Sequence, residues 1–105
     1  DDVVFLEPKR KFIYSATLTK ICRNSKKKYT FFLFSDILVY ASKSGRKYKL
    51  HRKLEINSAF NYQDLTDGEF GDNRIQISTS IKSFEVHCEN KQQKQIWIDH
   101  FKNVM

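Results

Sequence analysis

The sequence predicts a mainly β domain closed by one C-terminal α-helix. Three observations carry that fold class. Apolar residues alternate with polar ones in short segments as far as residue 89, turn-forming residues separate those segments, and a helical stripe replaces the alternation only from residue 91 to the end of the 105-residue chain.

After a lead-in over residues 1–11, "ATLTKIC" sets Ala16, Leu18 and Cys22 against Thr17 and Thr19, the pattern of a half-buried strand. "YTFFLF" and "ILVYAS" are rich in strand formers and are separated by the turn residues Ser35 and Asp36, so they form a β-hairpin. "YKLHRKLEI" follows the loop "KSGRK" as a fourth strand, and "AFNYQDL" is a weaker fifth before the turn-rich "TDGEFGDN". "RIQISTS" alternates through Ile75 and Ile77, and "SFEVHCE" through Phe84, Val86 and Cys88. Seven strands over residues 12–89 result, with no repeat or low-complexity linker between them. Asn90 is a good N-cap with Gln93 in capping-box position, and "KQQKQIWIDHFKNVM" (91–105) then places Trp97, Phe101 and Val104 or Met105 on one helical face. That face must cover something apolar. A single amphipathic helix after seven antiparallel strands caps the open end of a strongly bent sheet or partly open barrel, with Trp97 as its core anchor.

Length and composition bound the rest. A chain of 105 residues forms one domain, large enough to bury roughly two-thirds of its unfolded surface without metal or disulfide support. The most apolar run is interrupted at Ser35 and Asp36, well short of the about 20 consecutive apolar residues that a spanning helix needs. Cys22 and Cys88 lack CxxC spacing and read as reduced thiols of a cytosolic protein. With no initiator Met, signal peptide or lipidation motif, the chain reads as a piece of something longer.

The net charge of +7 is strongly segregated. Residues 9–53 carry fourteen Lys and Arg against Asp36 alone, a balance of +13, whereas the segments before and after each carry −3. So lopsided a distribution predicts a cationic pole facing an anionic partner. Antiparallel connectivity locates that pole, because the loops "RNSKKK" and "KSGRK" must lie at the same end of the sheet. Lys20 shares the parity of Leu18 and points inward at that mouth; Tyr29 follows Phe31 and Leu33, and Tyr40 follows Leu38.

Taken together, "ATLTK", "KKKYTFFLFSDILVY", "KSFEVHCEN" and Trp97, in that order and spacing, resemble a pleckstrin-homology (PH) domain over essentially the whole chain. The wording is most like the PH domains of FYVE-containing proteins (the phafin type) and of Rho-family guanine nucleotide exchange factors. The resemblance implies two nearly orthogonal antiparallel sheets of four and three strands with the helix plugging one end. It also implies a headgroup site for phosphoinositides, built from a Lys near the end of the first strand and a Lys/Arg-x-Arg near the start of the second. Those positions fall on Lys20, Lys27 and Tyr29, and Tyr40 matches a Tyr that often contacts phosphate. Tyr29 departs from the pattern, since Arg offers a charged bidentate fork and Tyr one neutral hydroxyl. Lys26 and Lys28 compensate in part as point charges, with Arg23, Arg46, Lys47 and Lys82 within reach on neighbouring loops. Ala16 stands where the family commonly has Gly, and the lead-in over residues 1–11, "FLEPKRK" included, looks like the entry from an upstream helical domain.

About 1 kcal/mol per cation near an anionic leaflet gives roughly 5 to 6 kcal/mol for five or six of them, a dissociation constant on the order of 0.1 mM. Binding that weak adds avidity to another contact of the parent protein. The expected function is therefore a non-catalytic module that associates with anionic, phosphoinositide-containing membranes inside a signalling or trafficking protein, located in the cytoplasm and peripherally at the plasma membrane or endosome. The alternative is a protein-interaction module that docks a small GTPase or an adjacent exchange-factor domain. Nucleic acid is excluded because most aromatics sit in burying strand patterns instead of standing free to stack. Catalysis and metal binding are not expected. His51, His87 and His100 have no ligand spacing and read as surface histidines, Gly45, Gly68 and Gly71 form no phosphate loop, and "DGEFGDN" lacks a calcium-loop pattern. No cofactor is expected.

Overall fold

Seven antiparallel strands and one helix follow the chain in the order the alternation predicts: β1 (Phe12–Ile21), β2 (Lys26–Phe34), β3 (Ile37–Ser44), β4 (Lys47–Glu55), β5 (Asn61–Asp64), β6 (Arg74–Ser78), β7 (Ser83–His87) and α1 (Lys91–Val104). The computed structural model describes residues 9–69 and 71–105; the first eight residues of the expected lead-in, and Phe70, lie outside the described residues.

The strands hydrogen-bond in the order β4-β3-β2-β1-β7-β6-β5. The four- and three-stranded halves are thus parts of one continuous sheet, joined where Thr19, Lys20 and Ile21 of β1 pair with His87, Val86 and Glu85 of β7. β1 starts at Phe12, four residues before the alternation in "ATLTKIC" becomes visible, and a register shift between Phe12 and Tyr14 bends it against β2. The long β1 can therefore serve both halves.

One core cluster takes residues from both halves and the helix: Leu18, Phe31, Leu33 and Leu38 meet Ile75, Ile77, Val86, Trp97 and Phe101. A sheet whose two halves share one core must curl over itself. The hairpin β2–β3 is buried on both faces, which explains its nearly unbroken apolar run. Phe31, Leu33, Leu38 and Tyr40 belong to the main core, while Phe34, Ile37 and Val39 form a second cluster with Phe32 and Leu50.

The helix begins where Asn90 Oδ1 accepts a hydrogen bond from Gln93 N at 2.8 Å. The reciprocal arm of a capping box is spent elsewhere, because Gln93 Oε1 accepts from the Tyr14 hydroxyl at 3.1 Å and ties the helix to β1. Trp97, Ile98 and Phe101 are the buried residues of α1; Val104 is half-buried and Met105 exposed. Trp97 packs on Tyr14 at 5.1 Å and Phe101 at 5.6 Å. Phe101 also stacks on Tyr62 of β5 at 5.6 Å. Lys94 straps the short edge strand to the helix, donating to Leu65 O at 2.7 Å and pairing with Asp64.

Candidate functional site

Strand directions bring three connections to one end of the molecule. β1 runs into the β1–β2 turn, closed by Cys22 N donating to Ser25 O at 2.7 Å. β3 and β4 are joined by the two residues Gly45 and Arg46, with the positive φ of Gly45 (62°) on the first, where a tight hairpin favours glycine. β7 starts at the same end, because Glu85 lies opposite Ile21, so the β6–β7 turn is the third member of the rim.

The lysines of "RNSKKK" are strand residues. Lys26, Lys27 and Lys28 pair with Ile21, Lys20 and Thr19 of β1. Period two then splits them: Lys27 shares the inner side with Lys20, whereas Lys26 and Lys28 take the outer side, and all three are exposed. Across the mouth, Lys47 and Lys49 pair with Ser44 and Ser42, on the inner side of β3 that also carries Tyr40. Arg23, Arg46 and Lys47 are exposed on the rim, and Lys82 is half-buried beside β7.

Lys20 is the exception among the cations. It is 8% exposed, the one charged residue among the described buried side chains. Its Nζ lies 5.3 Å from the ring centroid of Phe84 and 5.9 Å from that of Tyr40. Its ammonium makes a weak polar contact, 3.9 Å to Cys22 Sγ. Cation–π contacts return about 0.5 to 2 kcal/mol, against several kcal/mol of desolvation for a buried ion. No carboxylate among the described residues pairs with it: the ion pairs are Arg10–Asp36, Lys53–Glu55, Arg74–Glu85, His87–Glu85, Lys91–Asp67 and Lys94–Asp64.

The wall behind Lys20 is aromatic. Tyr40 stacks on Phe31 at 5.0 Å, Tyr29 lies 5.2 Å from Tyr40, and both tyrosines are buried. Tyr29, at the position where the resemblance implies an Arg, is therefore a core ring. His51 completes the wall, edge-on to Tyr29 at 4.7 Å, with Nε2 3.1 Å from Ser42 Oγ. It is the extra residue of the register shift at Tyr40/Ala41, since Leu50 pairs with Ala41 and Arg52 with Tyr40. Sequence reasoning missed His51 and Lys49. Counting strand parity back from Ser42 would have found Lys49, but the bulge that aims His51 has no sequence signal of its own.

The other candidates have structural explanations. His87 and His100 are half-buried rather than surface residues: His87 pairs with Glu85 at 2.7 Å and His100 packs on Tyr14 at 4.9 Å. In the turn-rich segment "TDGEFGDN", Gly68 and Gly71 exchange backbone bonds of 3.1 and 3.0 Å, and Asp67 accepts from Asn73 N at 3.0 Å. Gly71 has φ of 119°, and an added Cβ would stand 3.0 Å from the His87 ring. Cys22 and Cys88 are free, and burial pushes the Cys88 thiol up to about 11. Among the described residues no group of three His, Cys, Asp or Glu could hold a metal, and no helix is long and apolar enough to cross a membrane.

Comparison with known proteins identifies the family and the fold. The model of the PH domain family matches residues 8–105. Pleckstrin homology domain-containing family F member 1 of Mus musculus is 37% identical over 95 residues, covering 89% of this chain and 34% of its own length. The human family F member 2 is 34% identical over 100 residues, with 89% and 38% covered. The chain thus spans little more than a third of these relatives. Among solved structures, the DH/PH domain of human ARHGEF11 in a ternary complex with RhoA and its inhibitor superposes with a TM-score of 0.78 at 20% identity, over 90% of this chain and 29% of that one. The linker-DH/PH fragment of p115-RhoGEF gives 0.78 at 11% identity, over 93% and 30%. At those identities the likeness is one of fold.

Proposed function

This chain belongs to the PH domain family, and from that membership we propose that it is a non-catalytic module that binds anionic lipid headgroups, phosphoinositides foremost, at the mouth around Lys20. PH domains are modules of lipid or protein binding. The observation that favours a headgroup is Lys20 itself: a buried ammonium, set among rings and without a carboxylate among the described residues, lacks only an anion. Lys27, Lys47 and Lys49 on the inner side of the strands supply further charge at the same end. Such a module would hold its parent protein at the cytoplasmic face of the plasma membrane or an endosome.

Docking to a small GTPase or an adjacent exchange-factor domain is the second reading, supported by solved neighbours that are exchange-factor fragments, one of them in a complex with RhoA. Calorimetric titration of soluble inositol phosphates into the wild type, Lys20→Ala and Lys53→Ala separates the two. A headgroup site costs Lys20→Ala about 1.5 to 3 kcal/mol, the worth of a hydrogen bond to a charged group, while the exposed Lys53, near the opposite end of β4, costs about 1 kcal/mol or less. Equal losses in both variants would reject the pocket in favour of protein docking.

A further inference from the structure

The two thiols differ in what surrounds them. Cys88 is buried in the main core, and its lost solvation pushes the thiol up to about 11. Such a thiol is inert. Cys22 stands half-buried just past the end of β1, held in the β1–β2 turn by the bond from its N to Ser25 O. Its Sγ lies 3.9 Å from Lys20 Nζ and equally far from Lys20 O. A partly accessible thiol therefore touches a nine-tenths buried ammonium that no carboxylate among the described residues neutralises.

What that ammonium lacks is an anion, and oxidation of the neighbouring sulfur would make one in place. A thiol is neutral, whereas a sulfinic acid is ionised at neutral pH. An oxygen bonded to Sγ spans the 3.9 Å gap and meets Nζ at the length of a charge-assisted hydrogen bond, about 2.8 Å. The exposed Arg23, Lys26 and Lys27 on the same rim favour negative charge there as well.

We propose that Cys22 is an oxidative modification site, converted by a peroxide to a sulfinate that pairs with Lys20 Nζ and closes the mouth to anionic headgroups. In the first step Sγ attacks one oxygen of hydrogen peroxide. The S–O bond forms, the O–O bond breaks, and the departing hydroxide leaves as water with the thiol proton, giving a sulfenic acid. A second peroxide adds a second oxygen in the same way and is likewise reduced to water, and the sulfinic acid then loses its proton to solvent. Each step oxidises the sulfur by two electrons. Closure of the mouth rests on the headgroup reading; the modification and the ion pair do not.

The test compares dithiothreitol-reduced and peroxide-treated protein, in the wild type, Cys22→Ser and Lys20→Met. Peptide mass spectrometry should find two added oxygens on Cys22 while Cys88 remains a thiol. Oxidation should raise the melting temperature of the wild type by about 4 °C, because the buried ammonium gains its counter-ion. Neither Cys22→Ser nor Lys20→Met should show that rise. Calorimetric affinity for inositol trisphosphate should fall about tenfold or more in the oxidised wild type, the scale of losing one hydrogen bond to a charged group, and treatment should leave the affinity of Cys22→Ser where it was. Cys22→Asp, which sets a carboxylate beside Lys20 with no oxidant, should move melting temperature and affinity in the same directions. Oxidation of Cys88 in preference to Cys22, an oxidised wild type with unchanged melting temperature, or a rise that Lys20→Met shares would overturn the proposal. So would an affinity loss that Cys22→Ser repeats. A Lys20-dependent rise in a protein that binds no inositol trisphosphate even when reduced would uphold the modification and the ion pair while rejecting the headgroup reading.

Discussion

The two ends of the sheet treat charge in opposite ways. At the β2–β3 turn, Asp36 is gripped by Arg10, whose Nε donates at 2.7 Å and Nη2 at 3.0 Å. Lys11 N donates to Ser35 Oγ at 3.0 Å beside it, and Ile56 N donates to Asp36 O at 2.9 Å. The single acid of the basic segment is thus spent on neutralising its own end, and the Arg10 guanidinium holds its carboxyl below the usual range. At the mouth, the cation removed furthest from water has rings for neighbours and no carboxylate among the described residues. Folding alone accounts for the first arrangement. The second costs stability, and a cost of that kind is characteristic of binding sites.

Four experiments break or sharpen this contrast. The largest effect concerns the support that both ends share. Trp97 is fully buried between β1 and Phe101, so Trp97→Ala should lower stability by about 3 to 5 kcal/mol in a denaturant melt; an unchanged melt would show that the ends do not depend on one core. Next is Lys20→Met, which trades a desolvated cation for a chain of similar shape. It should hold stability constant or raise it by about 1 kcal/mol while abolishing the binding advantage of the mouth. A drop in stability would mean that the aromatic box already compensates the charge.

Salt tests the exposed part of the mouth. Co-sedimentation with anionic vesicles should weaken steeply from low to physiological salt, because the rim lysines are open to screening. Equal retention on neutral and anionic vesicles would remove the electrostatic basis of the contrast. The smallest effect belongs to the paired end. Asp36→Asn should cost under about 1 kcal/mol, since the Asp36 side chain is 52% exposed. A carboxylate whose folded pKa is depressed stabilises above its unfolded value and loses that contribution as pH falls through the folded one. The difference between wild type and Asp36→Asn should therefore be full at neutral pH and vanish as pH falls below the ordinary value of 3.8. A difference that persists in acid would trace the effect to the turn backbone instead of the ion pair.

Alternation, turn residues and the Asn90 cap are local properties, so the order and type of every element could be told from the chain itself. Parity likewise told that Lys20 points inward. The parity of Lys26 and Lys28 was legible too, yet the charge run read as one cluster until the register with β1 divided it between two faces. Three matters depended on contacts between distant segments. β1 extends back to Phe12 because β2 is there to pair with it, and its far end closes the sheet by meeting β7. His51 reaches Tyr29 because a bulge against β3 rotates it. The depth of Lys20 is set by Phe84, contributed from the other end of the chain. Side-chain period is fixed by the geometry of a single strand, whereas register, bulges and burial are fixed by which strands lie side by side. The sequence by itself therefore determined the elements, the inward direction of Lys20 and the basic rim; only the tertiary structure decided that this lysine would sit nine-tenths buried against aromatic rings.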